Sequence, residues 1–288
     1  MAELDLHDII NIENYTLSDN PGNVSIEIIN NGGESSSILK DIPPNKNLMA
    51  IAVKKYLNLI NKGGEFTFGI IKNIPAGAGL GGGSSNAAAS LKIVAELFGR
   101  GIDNYVMEAA LYTGSDVPFF LYGGFAFVEG RGEYVTPIKI HNNSHILLVN
   151  NGIHINTGDA YNSLKMEIEP SFRLRSTTAI PDAMASCRPH KTDSIDKKTK
   201  IADQINTMSK WKDIFRNDFE PAIFNQYPQI GLIKEKMYKA GAVFALMSGS
   251  GSTVFGVFND ENSAKNLKKA LEKQGDKVYY NKFRHNIN

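Results

Sequence analysis

Along the first thirty residues apolar and polar positions alternate. "LHDIINIENYTL" and "NVSIEIIN" carry the two-residue period of half-buried strands, and "SDNPGN" between them supplies turn residues. The pattern predicts an opening β-hairpin. After the prolines of "DIPPNKN" the period lengthens: Leu48, Ile51, Ala52, Tyr56 and Leu57 share a helical face that "NKGG" ends. "EFTFGIIKNI" returns to a strand and runs directly into "PAGAGLGGGSSNAAASL". From Ser84, "SSNAAASLKIVAELFG" predicts a helix with hydroxyl residues at its start and Gly99 at its C′ position. "DNYVMEAALY" predicts another, ending at "TGSDVPFF", and "GGFAFVEG" with "GEYVTPIKI" a second hairpin.

The best boundary is "HNNS", which divides the chain into domains at residues 1–143 and 144–288. Beyond it come a buried strand "HILLVNN", helices near "IADQINTMSKW" and "QIGLIKEKMYKAG", strands in "AVFALMSGSGSTVFGVF", the helix "NSAKNLKKALEKQ" and a strand "KVYYNKF". This order predicts an antiparallel α+β sandwich.

Composition narrows the function classes. The 288 residues, 42% hydrophobic, suffice for one large core or two ordinary ones. Lys plus Arg number 31 against 30 for Asp plus Glu, so no overall field draws nucleic acid or an anionic membrane. The single cysteine, Cys187, excludes an intrachain disulfide framework and a multi-cysteine metal site, and fits a reducing compartment. "MAELDLHDII" lacks a signal peptide's basic region, and no apolar run reaches the about 20 residues of a membrane helix. The expectation is a cytoplasmic protein, monomeric or a weak homodimer. No H-E-x-x-H or G-x-S-x-G pattern marks a zinc metalloprotease or a serine hydrolase.

The chemistry therefore concentrates in the glycine loop. Five glycines fall between Gly77 and Gly83, between a strand and a helix. Helix N-termini present unpaired N–H groups, and glycines remove the Cβ atoms that would hold an anion away, so the fitting ligand is a phosphate chain. Gly77, Gly79 and Gly82 match G-x-G-x-x-G, but the acid at a suitable distance, Glu96, lies in the same helix and not on a second strand, which disfavours a dinucleotide-binding oxidoreductase. No Gly-Lys-Ser/Thr follows, so this is no Walker loop. The loop needs another cationic partner, which Mg²⁺ bound by phosphates and a serine hydroxyl would meet.

"PAGAGLGGGSSNAA" resembles the phosphate loop of the GHMP kinase superfamily, and its triple glycine and Asn86 point to the branch that phosphorylates a cytidylyl sugar alcohol. "GSDVPFFLYGGFAFVEGRGE", "NDFEPAIFNQYP" and "LMSGSGSTVF" are similar to further segments of that family. The resemblance implies an α+β, two-domain GHMP kinase fold, pairing a domain like ribosomal protein S5 domain 2 with a ferredoxin-like sandwich. It also implies ATP and Mg²⁺ as cofactors and a small-molecule alcohol as substrate.

Carried over by residue, it makes Asp116 the catalytic base. Pro75, Ala76, Gly77, Ala78, Gly79, Leu80, Gly81, Gly82, Gly83, Ser84 and Ser85 would wrap the triphosphate, with Ser84 or Ser85 available to Mg²⁺. Lys72 and Asn47 would lie near the adenosine, although Lys72 reads equally as a solvated charge at a strand end. Gly249, Ser250 and Gly251 would form a second wall. Thr157 and Tyr161 match positions that contact the cytidine base, with a core tyrosine the competing reading.

The family's opening strand, with its Ala-Lys-Ile/Val-Asn motif and Asp-Gly-Tyr-His turn, has no counterpart here. The first lysine is Lys40, and "MAELDLHDIINI" resembles the family's next strand. The fold is therefore expected in an N-terminally truncated form, through a misassigned start or a short form that would bind ATP with impaired turnover.

Overall fold

The computed structural model describes residues 1–37, 42–140, 142–167 and 206–284. Its first half is built on β1 (Ile9–Ser18), β2 (Val24–Asn30), α1 (Leu48–Leu59) and β3 (Gly63–Ile71). The predicted opening hairpin does not form: the sheet order is β1-β3-β2, with β3 antiparallel to β1 and parallel to β2. Burial explains the exchange. Phe66, Phe68 and Ile70 of β3 are wholly enclosed and suit a central strand, whereas β1 and β2 alternate between half-buried and exposed positions and suit edges. The α1 crossover carries the chain from β2 back to the place between them.

Three helices complete this half: α2 (Gly82–Leu97), α3 (Asn104–Thr113) and α4 (Val117–Tyr122). With α1 they enclose Val53, Tyr56, Phe66, Phe68, Leu91, Val94 and Val117. Helix α2 starts at Gly82, ahead of the predicted Ser84, and its cap is Gly81 at φ 68° with no side-chain hydrogen bond. Its end follows expectation: Gly99 takes φ 67°, and the Arg100 amide donates to the Ala95 carbonyl at 2.8 Å. "VPFFLY" is helical, because Pro118 in its first turn needs no amide partner.

After the predicted hairpin of β4 (Ala126–Glu129) and β5 (Tyr134–Pro137), the second half forms an antiparallel sheet. Its strands are β6 (His145–Asn150), β7 (Phe244–Met247), β8 (Val254–Phe258) and β9 (Lys277–Lys282), in the order β7-β8-β6-β9. Its helices are α5 (Thr157–Glu167), α6 (Glu220–Gln226), α7 (Pro228–Lys239) and α8 (Glu261–Glu272). Residues 201–205 of the expected helix "IADQINTMSKW" lie outside the described residues; from Met208 the chain makes a 3₁₀ turn and one α-turn, Trp211–Ile214.

A third core joins the halves. Phe125 meets Phe283 at 4.9 Å between ring centres, and Trp211 packs edge-on against Phe244 at 5.6 Å. Leu80, from the glycine loop, is half-buried against this core. Among the described residues no helix is long and apolar enough to cross a membrane.

Candidate active site

Gly77, Gly79 and Gly81 take φ values of 64°, 73° and 68°, a left-handed conformation that side chains with a Cβ resist. The space around them is also closed. A Cβ on Gly79 would lie 2.1 Å from the Ser248 carbonyl oxygen, and one on Gly77 would lie 2.2 Å from the His154 ring. The loop thus rests on the second glycine-rich turn, between β7 and β8. The Ser248 hydroxyl donates to the Gly79 carbonyl at 2.8 Å, and the Thr253 amide approaches the Ala78 carbonyl at 3.4 Å.

Above this junction opens a cleft of about 520 Å³. Its walls include every residue from Pro75 to Ser84, together with Asn47, Lys72, Asp116, Tyr161, Gly249 and Ser250. Ser85 and Gly251 are not among the lining residues. The Ser85 hydroxyl donates back to the Gly82 carbonyl at 2.9 Å, and Gly251 lies beneath Gly79 with its carbonyl 2.9 Å from a Cβ there. Thr157 opens α5, and its side chain lies outside the described residues.

Asp116 stands in the short link between α3 and α4, where no cap hydrogen bond uses its carboxylate. The protein packed around it pushes the carboxyl above the usual aspartate range, and the Met1 amine offsets part of that effect. Asn47 caps α1 by accepting from the Met49 amide at 3.0 Å. Leu48, the first residue of α1, would touch a Cβ on Gly83 at 3.2 Å, so the N-termini of α1 and α2 meet at the cleft. Unpaired amides and two helix dipoles therefore favour an extended anion here.

Lys72 is not the solvated charge that its place at a strand end allowed. It is buried, pairs with Asp8 at 2.6 Å and donates to the Ile74 carbonyl at 2.8 Å. Burial lowers its ammonium from the usual lysine range, and the bond to Asp8 opposes that. The other Asp8 oxygen accepts the Asn73 and Ile74 amides at 2.7 and 2.8 Å. Tyr161 is likewise no core tyrosine: it is 55% exposed and stands edge-on to Phe219, with ring centres 5.0 Å apart.

Sequence reasoning missed several supports. Asn217 donates to the Met247 and Gly249 carbonyls at 2.8 Å each, and Glu220 accepts the Met247 amide at 2.8 Å while pairing with Lys234. Both belong to "NDFEPAIFNQYP", whose family likeness was the available signal. Asp8 gave none, since an acid at the head of an alternating strand reads as a surface residue. Among the described residues no group of three His, Cys, Asp or Glu side chains can hold a metal ion.

A glycine loop braced by a second glycine turn, with Asp116 lining the same cleft, fits a small-molecule kinase of GHMP type. The sequence matches the GHMP kinases N terminal domain over residues 47–124 and the GHMP kinases C terminal domain over residues 201–277. The chain belongs to the GHMP kinase family.

Its relatives include the 4-diphosphocytidyl-2-C-methyl-D-erythritol kinase of Geobacter sp. (strain M21), 37% identical over 77% of this chain and 70% of that protein. The enzyme of the same name from Citrifermentans bemidjiense is 34% identical over 95% of this chain and 84% of its own length. A crystal structure of 4-(cytidine 5'-diphospho)-2C-methyl-D-erythritol kinase shares the fold, with a TM-score of 0.66 at 23% identity, covering 98% of this chain and 88% of that one. Homoserine kinase from Cytophaga hutchinsonii shares it too, with a TM-score of 0.67 at 20% identity over 95% and 88% of the two chains.

Proposed function

We propose that this chain transfers the γ-phosphoryl group of ATP to the 2-hydroxyl of 4-diphosphocytidyl-2-C-methyl-D-erythritol, a step of non-mevalonate isoprenoid synthesis. The observation that carries the chemistry is that Asp116 and the Pro75–Ser84 loop line one cleft. The relatives at 34–37% identity support the acceptor.

In this reading the loop amides and the α1 and α2 N-termini hold the triphosphate. Asp116 takes the proton from the acceptor hydroxyl, the freed oxygen attacks the γ-phosphorus in line, and ADP leaves. A carboxyl raised above its usual range is better matched to that task than an ordinary one. Of the two serines, Ser84 faces the cleft and would hold Mg²⁺, which would supply neutralisation of charge on the transferring group. The lack of an acidic cage among the described residues fits a metal held mainly by nucleotide.

Tyr161 and Phe219 at the rim offer an aromatic face for the cytidine, and Gly249 and Ser250 let the acceptor approach. In this reading the protein works in the cytoplasm, as a monomer or weak homodimer. The test is a turnover assay with ATP and the cytidylyl alcohol, with homoserine and mevalonate as alternative acceptors. The reading predicts phosphorylation of the cytidylyl alcohol alone, and equal or better use of either alternative overturns it.

A further inference from the structure

We propose that Lys46 supplies the side-chain charge that binds the nucleotide's phosphates, the role a Walker loop gives to a lysine within its own sequence. The inference rests on ATP being the phosphoryl donor. The glycine loop contains no basic residue, yet an ATP site must offset several negative charges. Among the described residues lining the cleft two are lysines, Lys46 and Lys72. Lys72 is already committed: its partner Asp8 lies 2.6 Å away, both side chains are at most 5% exposed, and a second donor is spent on the Ile74 carbonyl.

Lys46 differs in each respect. It is exposed, and its ammonium has no hydrogen-bond or ion-pair partner among the described residues. Its backbone is fixed, because it closes the 3₁₀ turn Pro44–Lys46 with its amide donating to the Pro43 carbonyl at 2.8 Å. The next residue, Asn47, caps α1, and Leu48 abuts Gly83 at the start of α2. Lys46 is thereby anchored beside the loop's helix end, with a flexible stem that can follow a phosphate chain. Asp116 is the one acid among the described lining residues, so little in the cleft competes for this cation.

The experiment is an equilibrium titration of the full chain, Lys46→Gln and Lys46→Arg with ATP, ADP, AMP and adenosine at low and high salt. Thermal melts check that each variant folds. Lys46→Gln is expected to weaken ATP binding about tenfold at low salt, the equivalent of one charge-assisted hydrogen bond. The loss should shrink with each phosphate removed and vanish for adenosine, high salt should narrow it, and Lys46→Arg should bind ATP nearly as the parent does. Unchanged ATP affinity in Lys46→Gln, or an equal loss for adenosine, overturns the inference while leaving ATP as the donor. A parent chain that binds no ATP removes the donor reading itself, and this inference with it.

Discussion

The Ser248 hydroxyl donates to the Gly79 carbonyl at 2.8 Å across 169 residues of sequence, tying the glycine loop of one half to the glycine turn of the other. The loop's shape therefore depends on how the halves are docked. Ser248→Ala should cost about 0.5–1.5 kcal/mol of stability, the worth of one ordinary hydrogen bond. It should also raise the KM for ATP several-fold, leaving the acceptor KM within twofold. Denaturant unfolding and steady-state kinetics check both, and an unchanged ATP KM would show that the loop holds its shape alone.

Two glycines with the same backbone but different surroundings separate conformation from space. Gly79 and Gly99 have φ values of 73° and 67°; a Cβ on Gly79 meets the Ser248 carbonyl at 2.1 Å, whereas one on Gly99 meets nothing within 4 Å. Gly99→Ala should cost only the left-handed penalty of about 1–2 kcal/mol and leave ATP binding intact. Gly79→Ala should cost more and abolish nucleotide binding, because backbone of both loops must move. Melting curves with a fluorescent ATP analogue distinguish the two.

The Asp8–Lys72 pair is buried beside the loop, and its loss should be felt chiefly as stability. Asp8→Ala strands a buried ammonium and frees two backbone amides, so a cost of about 3–5 kcal/mol is expected. Replacing both charges, as in Asp8→Leu with Lys72→Met, should recover much of it. A double-mutant cycle by urea denaturation measures the coupling; strict additivity would mean that the pair contributes nothing.

Asp116→Asn should abolish turnover and keep nucleotide binding within about threefold, since its role in the proposed reaction is to take a proton. The sign of the pH dependence follows from the raised carboxyl. The base must be ionised, so kcat/KM should fall as pH drops through a value above the ordinary aspartate figure of about 3.9. The fold disfavours the ionised form, and that penalty is absent at lower pH and complete above the raised value. Asp116→Asn removes it and should unfold no more easily than the parent near neutrality. A pH–rate profile and melts at pH 7 test the two halves of this expectation.

Tyr161→Ala should raise the KM for the cytidylyl acceptor by an amount worth about 1–3 kcal/mol, with the ATP KM unmoved. Tyr161→Phe should keep most of the parent value, because an edge-on contact with Phe219 and a stacking face need no hydroxyl. Loss of the ATP KM in Tyr161→Ala would relocate this rim to the nucleotide end.

Local periodicity was enough for most elements. α1, β3, α3, the β4–β5 hairpin and the antiparallel second sheet follow from spacing, because each is set by which of its own residues are apolar. The glycine loop was legible for a similar reason: left-handed turns at the head of a helix require glycine wherever the chain is folded. Strand order was not. The alternating patterns of β1 and β2 carry no sign that β3 will separate them, since pairing partners are chosen by burial across the whole layer. Nor did a strand-end lysine reveal that Asp8 buries and neutralises it, a relationship spanning 64 residues.

The sequence by itself determined a glycine-rich loop at a helix N-terminus, an aspartate in a turn and a second glycine motif, because those features rest on the conformational freedom and chemistry of single residue types. Only the tertiary structure decided that Ser84 faces the cleft while Ser85 turns to the helix backbone, that Lys72 is spent, and that Lys46 has no side-chain partner among the described residues. Which donors remain for a ligand depends on which are consumed inside the protein, and distant segments fix that when they pack.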